Sequence, residues 1–212
     1  VLDPAETAGP SRWRARAARR ASALIAAAGE RLAARGATVS LGASQDLVDR
    51  LAALGARDAR LAPVAAPAAA PTRPAPAVRA ELGVGPEELL AVTVARLHPQ
   101  KGLDLLIDAL AARASDARAV GPGSAAVQAV IAGDGPLEAE LAERIRAARA
   151  PVRLLGRRAD VPDLLGAADL VILPSRWEAR SLVAQEAMQA WRALIATAVG
   201  GLPELVGDGA RL

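Results

Sequence analysis

Between Leu89 and Thr197 the chain alternates short, unbroken apolar runs with segments of helical periodicity. The runs are Leu89–Val94, Val127–Ala132, Val152–Leu155, Leu170–Leu173 and Ala193–Thr197. Between them lie helical patterns over Leu103–Ala112, Pro136–Ala148, Val161–Ala167 and Ser181–Ala190. In Leu103–Ala112, Leu103, Leu106, Ile107 and Leu110 share one helix face. A half-solvated strand alternates apolar and polar residues, whereas these runs do not. They therefore predict a parallel sheet buried on both faces by its own crossover helices. Sites in such folds lie at the carboxyl ends of the strands.

The N-terminal part reads differently. Ser11–Arg35 lacks proline and is rich in Ala, Arg and Leu, which predicts one or two helices. Arg12, Arg14, Arg16, Arg19 and Arg20 cluster there, as a solvated helix face or an anionic-surface contact. A strand is expected over Ala37–Leu41, then a helix over Ser44–Leu51 capped by Ser44. Leu61–Pro76 holds Pro63, Pro67, Pro71, Pro74 and Pro76, which stop a helix or central strand. The expected organisation is an α/β segment over 1–62, a Pro/Ala-rich linker over 63–77 and a second α/β domain over 78–212. A start at Val1 and an end at Leu212 suggest a fragment.

Composition removes several chemistries. The 212 residues contain no cysteine, so there is no disulfide, thiolate metal site or cysteine nucleophile. His98 is the only histidine, which excludes a multi-histidine zinc site. Trp13, Trp177 and Trp191 are the only aromatic residues, too few for a base-stacking platform on single-stranded nucleic acid. Net charge is +3 although the pI is about 10.7, because Lys101 is the only lysine among 26 basic residues and arginine titrates very high. No apolar run reaches the ~18–20 residues of a membrane span.

The remaining candidates sit at strand ends. Ala95-Arg96-Leu97-His98-Pro99-Gln100-Lys101-Gly102 leaves a strand and enters a helix. It places a forked guanidinium and the single ammonium together, as an anion clamp; the alternative is two exposed bases in a loop. Gly133-Asp134-Gly135-Pro136 is a tight strand-to-helix turn. In Trp177–Met188, Ser181 caps a helix and leaves the next amides free for an anion. Glu186 follows Ser181 by five residues. At 1.5 Å per residue that is about 7.5 Å, roughly the distance from a phosphate to a ribose. Glu178 precedes the cap on the other side of the anion. Both glutamates could equally be surface residues.

In this order the motifs resemble the donor half of a family 4 glycosyltransferase with the GT-B fold. They read Ala95-Arg96-Leu97 to Lys101-Gly102, Gly133-Asp134-Gly135-Pro136 and Val152-Arg153-Leu154-Leu155-Gly156. Glu178 to Glu186 and Gly200-Gly201-Leu202-Pro203-Glu204 follow. The resemblance covers 78–212, and 11–66 is similar to the end of the acceptor domain. It implies a Rossmann-like donor domain and sugar transfer from a nucleotide-diphosphate sugar with retention of configuration. It further implies that Arg96 and Lys101 bind the diphosphate, helped by amides around Arg180, Ser181 and Leu182. Glu178 then holds sugar hydroxyls, Glu186 the ribose, and Gly156 and Arg157 lie near the base. Glu178, Arg96 and Lys101 form the catalytic set, with no metal and no cofactor beyond the donor substrate.

The implied acceptor is a sugar, lipid or small molecule, not nucleic acid. The implied setting is a cytoplasmic, bacterial, carbohydrate-building enzyme, with peripheral contact at the inner membrane face left open. A GT-B sugar-nucleotide epimerase and a nucleotide-sugar binding fragment without turnover are the alternatives. The sequence departs from the family at Ala179-Arg180, where Gly-Phe is common, and at Trp191, where glycine is usual. A left-handed backbone at that position would strain a tryptophan.

Overall fold

The computed structural model describes residues 10–116 and 125–207, without the side chains of 10–21 and 23. The chain divides into two compact units between Ala62 and Pro63.

The first unit contains α1 (Pro10–Gly36), β1 (Ser40–Gly42), α2 (Gln45–Ala53) and β2 (Ala59–Leu61). The two strands pair in parallel, from Ser40 opposite Ala59 to Gly42 opposite Leu61. The arginines at 12, 14, 16, 19 and 20 lie on α1, their side chains outside the described residues. Ser44 takes the N-cap backbone position of α2 but makes no side-chain cap. Its hydroxyl donates to Asp46 Oδ1 instead, so the expected cap is corrected. The hydroxyl is turned so as to donate to this carboxylate two residues away, and in that orientation it accepts no amide of the helix.

The second unit opens with extended chain that lies along its own helices. The Ala66 amide donates to Gln185 Oε1 at 3.0 Å. The Arg73 amide donates to the buried Asp163 at 3.1 Å. Helix α3 (Ala75–Glu81) starts inside the stretch expected to be linker. Pro74 is its N-cap and Pro76 falls in its first turn, where proline's missing N–H costs nothing.

The sheet that follows has β3 (Leu89–Val94), β4 (Val127–Ala132), β5 (Val152–Gly156), β6 (Leu170–Leu173) and β7 (Ala193–Ala196). All pairs are parallel, in the order β5-β4-β3-β6-β7. Helices α4 (Leu103–Ser115), α5 (Glu138–Ala148), α6 (Val161–Ala167), α7 (Leu182–Gln189) and α8 (Leu202–Val206) connect or follow them. Successive side chains of β3 enter opposite cores. Leu90 and Val92 pack with Val78, Leu164, Leu165, Ala184 and Ala187 under α3, α6 and α7. Ala91 packs with Leu103, Ile107 and Leu141 under α4 and α5. This two-sided burial is why the strands read as continuous apolar runs. Among the described residues no helix is long and apolar enough to cross a membrane.

The strand order reverses at β3. Connections to β4 and β6 leave in opposite directions, so a crevice opens outside the carboxyl ends of β3 and β6. Their paired register covers only Ala91 opposite Leu170 and Val92 opposite Val171. Just beyond it, Thr93 Oγ1 donates to the Ile172 carbonyl at 2.8 Å.

Candidate functional site

Two loops border the crevice: 95–102 after β3 and 174–181 after β6. The first passes through a 3₁₀ turn, Pro99–Lys101, with His98 at its N-cap. His98 Nδ1 accepts the Gln100 amide at 3.3 Å. His98 thus shapes the loop, as its single occurrence near the clamp allowed but did not require. Gly102 ends the turn at φ +60°, and a Cβ there would lie 2.0 Å from the Pro174 carbonyl oxygen. Only glycine lets the two loops approach this closely.

Polar contacts fasten the loops together. The Arg176 amide donates to the Gln100 carbonyl at 2.7 Å, and Gln100 Nε2 returns a bond to the Trp177 carbonyl at 2.9 Å. The Arg176 guanidinium reaches the Pro99 carbonyl at 2.7 Å and both oxygens of Asp104 at 3.0 and 2.7 Å. Hydrogen bonds from Arg176 hold the Asp104 carboxyl below its ordinary range.

The crevice itself encloses about 270 Å³, lined by Arg96, Lys101, Gly133, Asp134 and Val183 among others. The Arg96 side chain is exposed and has no hydrogen bond or ion pair among the described residues, although its carbonyl accepts the His98 amide at 2.8 Å. Lys101 is mostly buried, and its Nζ pairs with Glu178 Oε1. Ser175 Oγ donates to the same Oε1 at 2.7 Å. The structure therefore joins Lys101, expected at the diphosphate, to Glu178, expected at the adjoining sugar hydroxyls. The carbonyl of Glu178 accepts the Gly201 amide at 2.9 Å. At Gly200, φ is +53° and a Cβ would stand 1.9 Å from that same carbonyl oxygen. The Gly200-Gly201 pair is thus the seat of the Glu178 loop.

Ser181 caps α7 as expected, its Oγ accepting the Ala184 amide at 3.2 Å. The amides of Leu182 and Val183 precede the first intrahelical bond, at the positive end of the helix dipole. The Arg180 guanidinium is directed at Glu204, with Nη1 3.6 Å from Oε1, and its buried Nε has no hydrogen-bond partner among the described residues. Gly156, at φ +66°, closes β5, and its carbonyl accepts the Gly133 amide at 2.8 Å. The next residue, Arg157, is exposed.

Glu186 is among the residues that line a second, mostly apolar cavity of about 600 Å³, with Pro71, Val161, Leu165, Met188 and Trp191. Burial raises its pKa above the ordinary glutamate value. At the end of α7, Trp191 has φ +56°. Its amide bonds to Met188 and that of Arg192 to Ala187, each at 3.0 Å, which closes a Schellman turn on a tryptophan. The departure flagged in the sequence thus falls on a left-handed residue.

Sequence reasoning missed Ser175 and Thr93. Ser175 precedes Glu178 by only three residues, yet it is a small polar residue in a loop and carries no spacing signal.

A family model described as "Glycosyl transferases group 1" matches residues 88–211. D-inositol 3-phosphate glycosyltransferase of Mycobacterium sp. (strain KMS) is 38% identical over 135 residues, 63% of this chain and 30% of that protein. Lipopolysaccharide core biosynthesis mannosyltransferase LpsB of Rhizobium meliloti (strain 1021) is 35% identical over 135 residues, 60% of this chain and 36% of that one. Among solved structures, Anabaena Alr3699/HepE in complex with UDP-glucose superposes with a TM-score of 0.69 at 30% identity, covering 84% of this chain and 50% of that one. The matched stretch thus spans about a third of the curated relatives and half of the solved one.

Proposed function

The chain belongs to the group 1 glycosyl transferases, and from that membership we propose that its second unit binds the nucleotide-diphosphate sugar of a retaining, family 4 type transfer reaction. The observation that carries the reading is the crevice at the strand switch point. One of its loops presents Arg96 and Lys101, and the other presents Glu178 and the start of α7.

The chemistry is matched to those groups. Transfer breaks the bond between the anomeric carbon and the diphosphate oxygen, and the electron pair leaves with the diphosphate. An acceptor hydroxyl forms the new bond and passes its proton to the oxygen of the departing diphosphate. Arg96 and Lys101 stabilise the charge that develops on the leaving diphosphate. The unpartnered amides at the start of α7 add dipolar stabilisation on the same side. Glu178 takes hydroxyls of the sugar, which fixes the anomeric carbon for attack. Glu186 reads the ribose, and the backbone at Gly156 with Arg157 borders the base.

With two cations already at the diphosphate, donor binding requires no divalent ion. Retention is supported by the motif order that resembles family 4. The acceptor is a sugar, lipid or small molecule met outside this unit, in a cytoplasmic reaction.

A thermal-shift screen tests the reading, because a bound donor raises stability by mass action. UDP and UDP-glucose, the ligands of the Anabaena structures, should raise the melting temperature in the presence of EDTA. Absence of any shift with nucleoside diphosphates and their sugars would reject it.

A further inference from the structure

We propose that Ser175 is a positioning residue for the sugar end of the donor, holding Glu178 in place when Lys101 is drawn to the diphosphate. The inference rests on the donor-site reading above and adds a residue to it.

The geometry starts from one oxygen. Glu178 Oε1 receives both the Lys101 ammonium and the Ser175 hydroxyl. Oε2 has no partner among the described residues. Glu178 is buried, and a buried carboxylate stays ionised only while something compensates its charge or donates to it. Lys101 also borders the crevice where the diphosphate is placed. A single ammonium attracted to two phosphates cannot keep its full interaction with Glu178. The hydroxyl of Ser175 is neutral and lies under the carboxylate, so the phosphates do not compete for it. It remains on Oε1 and leaves Oε2 for sugar hydroxyls.

Ser175 is itself well placed to act as a fixed point. It is 2% exposed. Its carbonyl accepts the hydroxyl of Thr197, just beyond β7. On its other side, the Pro174 carbonyl abuts Gly102. The loop between β3 and α4 and the ends of β6 and β7 thus converge on one serine and the carboxylate it holds.

The test separates the two ends of the donor. Affinities for UDP and UDP-glucose are measured by calorimetry on the wild type, Ser175→Ala and Ser175→Thr. Loss of one hydrogen bond to a charged group predicts that Ser175→Ala weakens UDP-glucose about tenfold while UDP changes less than about twofold. Ser175→Thr, which keeps the hydroxyl, should recover most of the loss. Ser175→Cys conserves size and donates weakly, so it should fall between them, and it replaces the alanine variant if that one does not fold. Equal losses on both ligands would make Ser175 a general support of the loop and overturn the inference. Unchanged UDP-glucose affinity would overturn it as well. If the wild type binds neither ligand, the donor-site reading fails first and the inference falls with it.

Discussion

The two ends of α7 obey opposite rules. At its start, Ser181 caps the helix, Ser175, Glu178 and Ser181 are buried, and Glu178, Ser175 and Lys101 form one hydrogen-bonded cluster. At its end, Trp191 is 92% exposed and occupies a left-handed position that favours glycine. Around the first end every loop is over-determined by neighbouring loops. Around the second, one turn is closed by its own backbone bonds and by the Arg192 guanidinium, which donates to the Ala190 carbonyl at 2.8 Å and the Ala168 carbonyl at 3.2 Å. The contrast shows where this fold tolerates departure: the crevice end depends on close contacts between loops, and the far end depends on one Schellman turn and one arginine.

Gly102→Ala should have the largest effect. The added Cβ would meet the Pro174 carbonyl oxygen at 2.0 Å, with φ at +60°. Backbone must move on both sides of the crevice, and the expected destabilisation is above about 3 kcal/mol by urea unfolding. A loss near that of an exposed Gly→Ala change would show that the two loops are not mutually locked.

Next come the two cations. Arg96→Ala and Lys101→Ala should each weaken UDP by about 10- to 100-fold, the range of a hydrogen bond to a charged group. Uridine, without phosphates, should be nearly unaffected. The two variants should differ in stability. Arg96 is exposed and unpaired among the described residues, whereas Lys101 holds the buried Glu178. Lys101→Ala should therefore lower the melting temperature and Arg96→Ala should not. Equal losses of uridine and UDP would mean that these side chains support the fold and not the phosphates.

Much of this contrast could be read in advance, for identifiable reasons. Leu89–Val94, Val127–Ala132 and Leu170–Leu173 appear in the structure with the bounds of their apolar runs, because burial on both faces suppresses alternation. Helix α6 also keeps its expected bounds, Val161–Ala167. Helix α3 was hidden because its prolines resemble breakers, although two of them lie where a helix can begin. The Ser44 cap failed because the hydroxyl is oriented toward a carboxylate two residues away and not toward the helix amides. At the site, residue types and spacing pointed to Arg96, Lys101, Glu178 and Ser181. The Lys101–Glu178 contact spans 77 residues of sequence, and no local pattern encodes it. The apolar cavity that Glu186 lines was likewise invisible, because helical rise gives distance along an axis and not the surroundings of a side chain.

Glu186 sharpens the comparison, since it lies between the two ends of α7. Its carboxyl is pushed up by burial, so the folded pKa lies above the unfolded one. The stability of the protonated form is then present below the ordinary carboxyl value and is lost as pH rises through the folded value. Glu186→Gln cannot ionise. It should match the wild type at acid pH and be the more stable of the two at neutral pH, by chemical denaturation at both. If Glu186 reads a ribose, the same variant should also weaken UDP about tenfold. A gain in stability with unchanged UDP affinity would assign Glu186 to the apolar cavity alone.

The smallest effect is expected at Trp191. Its left-handed backbone costs about 1 kcal/mol for a residue with a Cβ. The ring is 92% exposed, so removing it forfeits little burial. Trp191→Gly should therefore stabilise the protein by less than about 1 kcal/mol, raising the melting temperature by no more than roughly 2–4 °C. The gain is partly offset by the larger backbone entropy that glycine brings to the unfolded chain. Trp191→Ala is the control: it removes the ring and keeps the Cβ, so it should recover little. The strain belongs to the far end of α7, so UDP affinity should stay constant in both variants. Equal stabilisation by glycine and alanine would locate the cost in the exposed ring and not in the backbone. A fall in UDP affinity in Trp191→Gly would break the comparison itself, because it would couple the far end of the helix to the crevice.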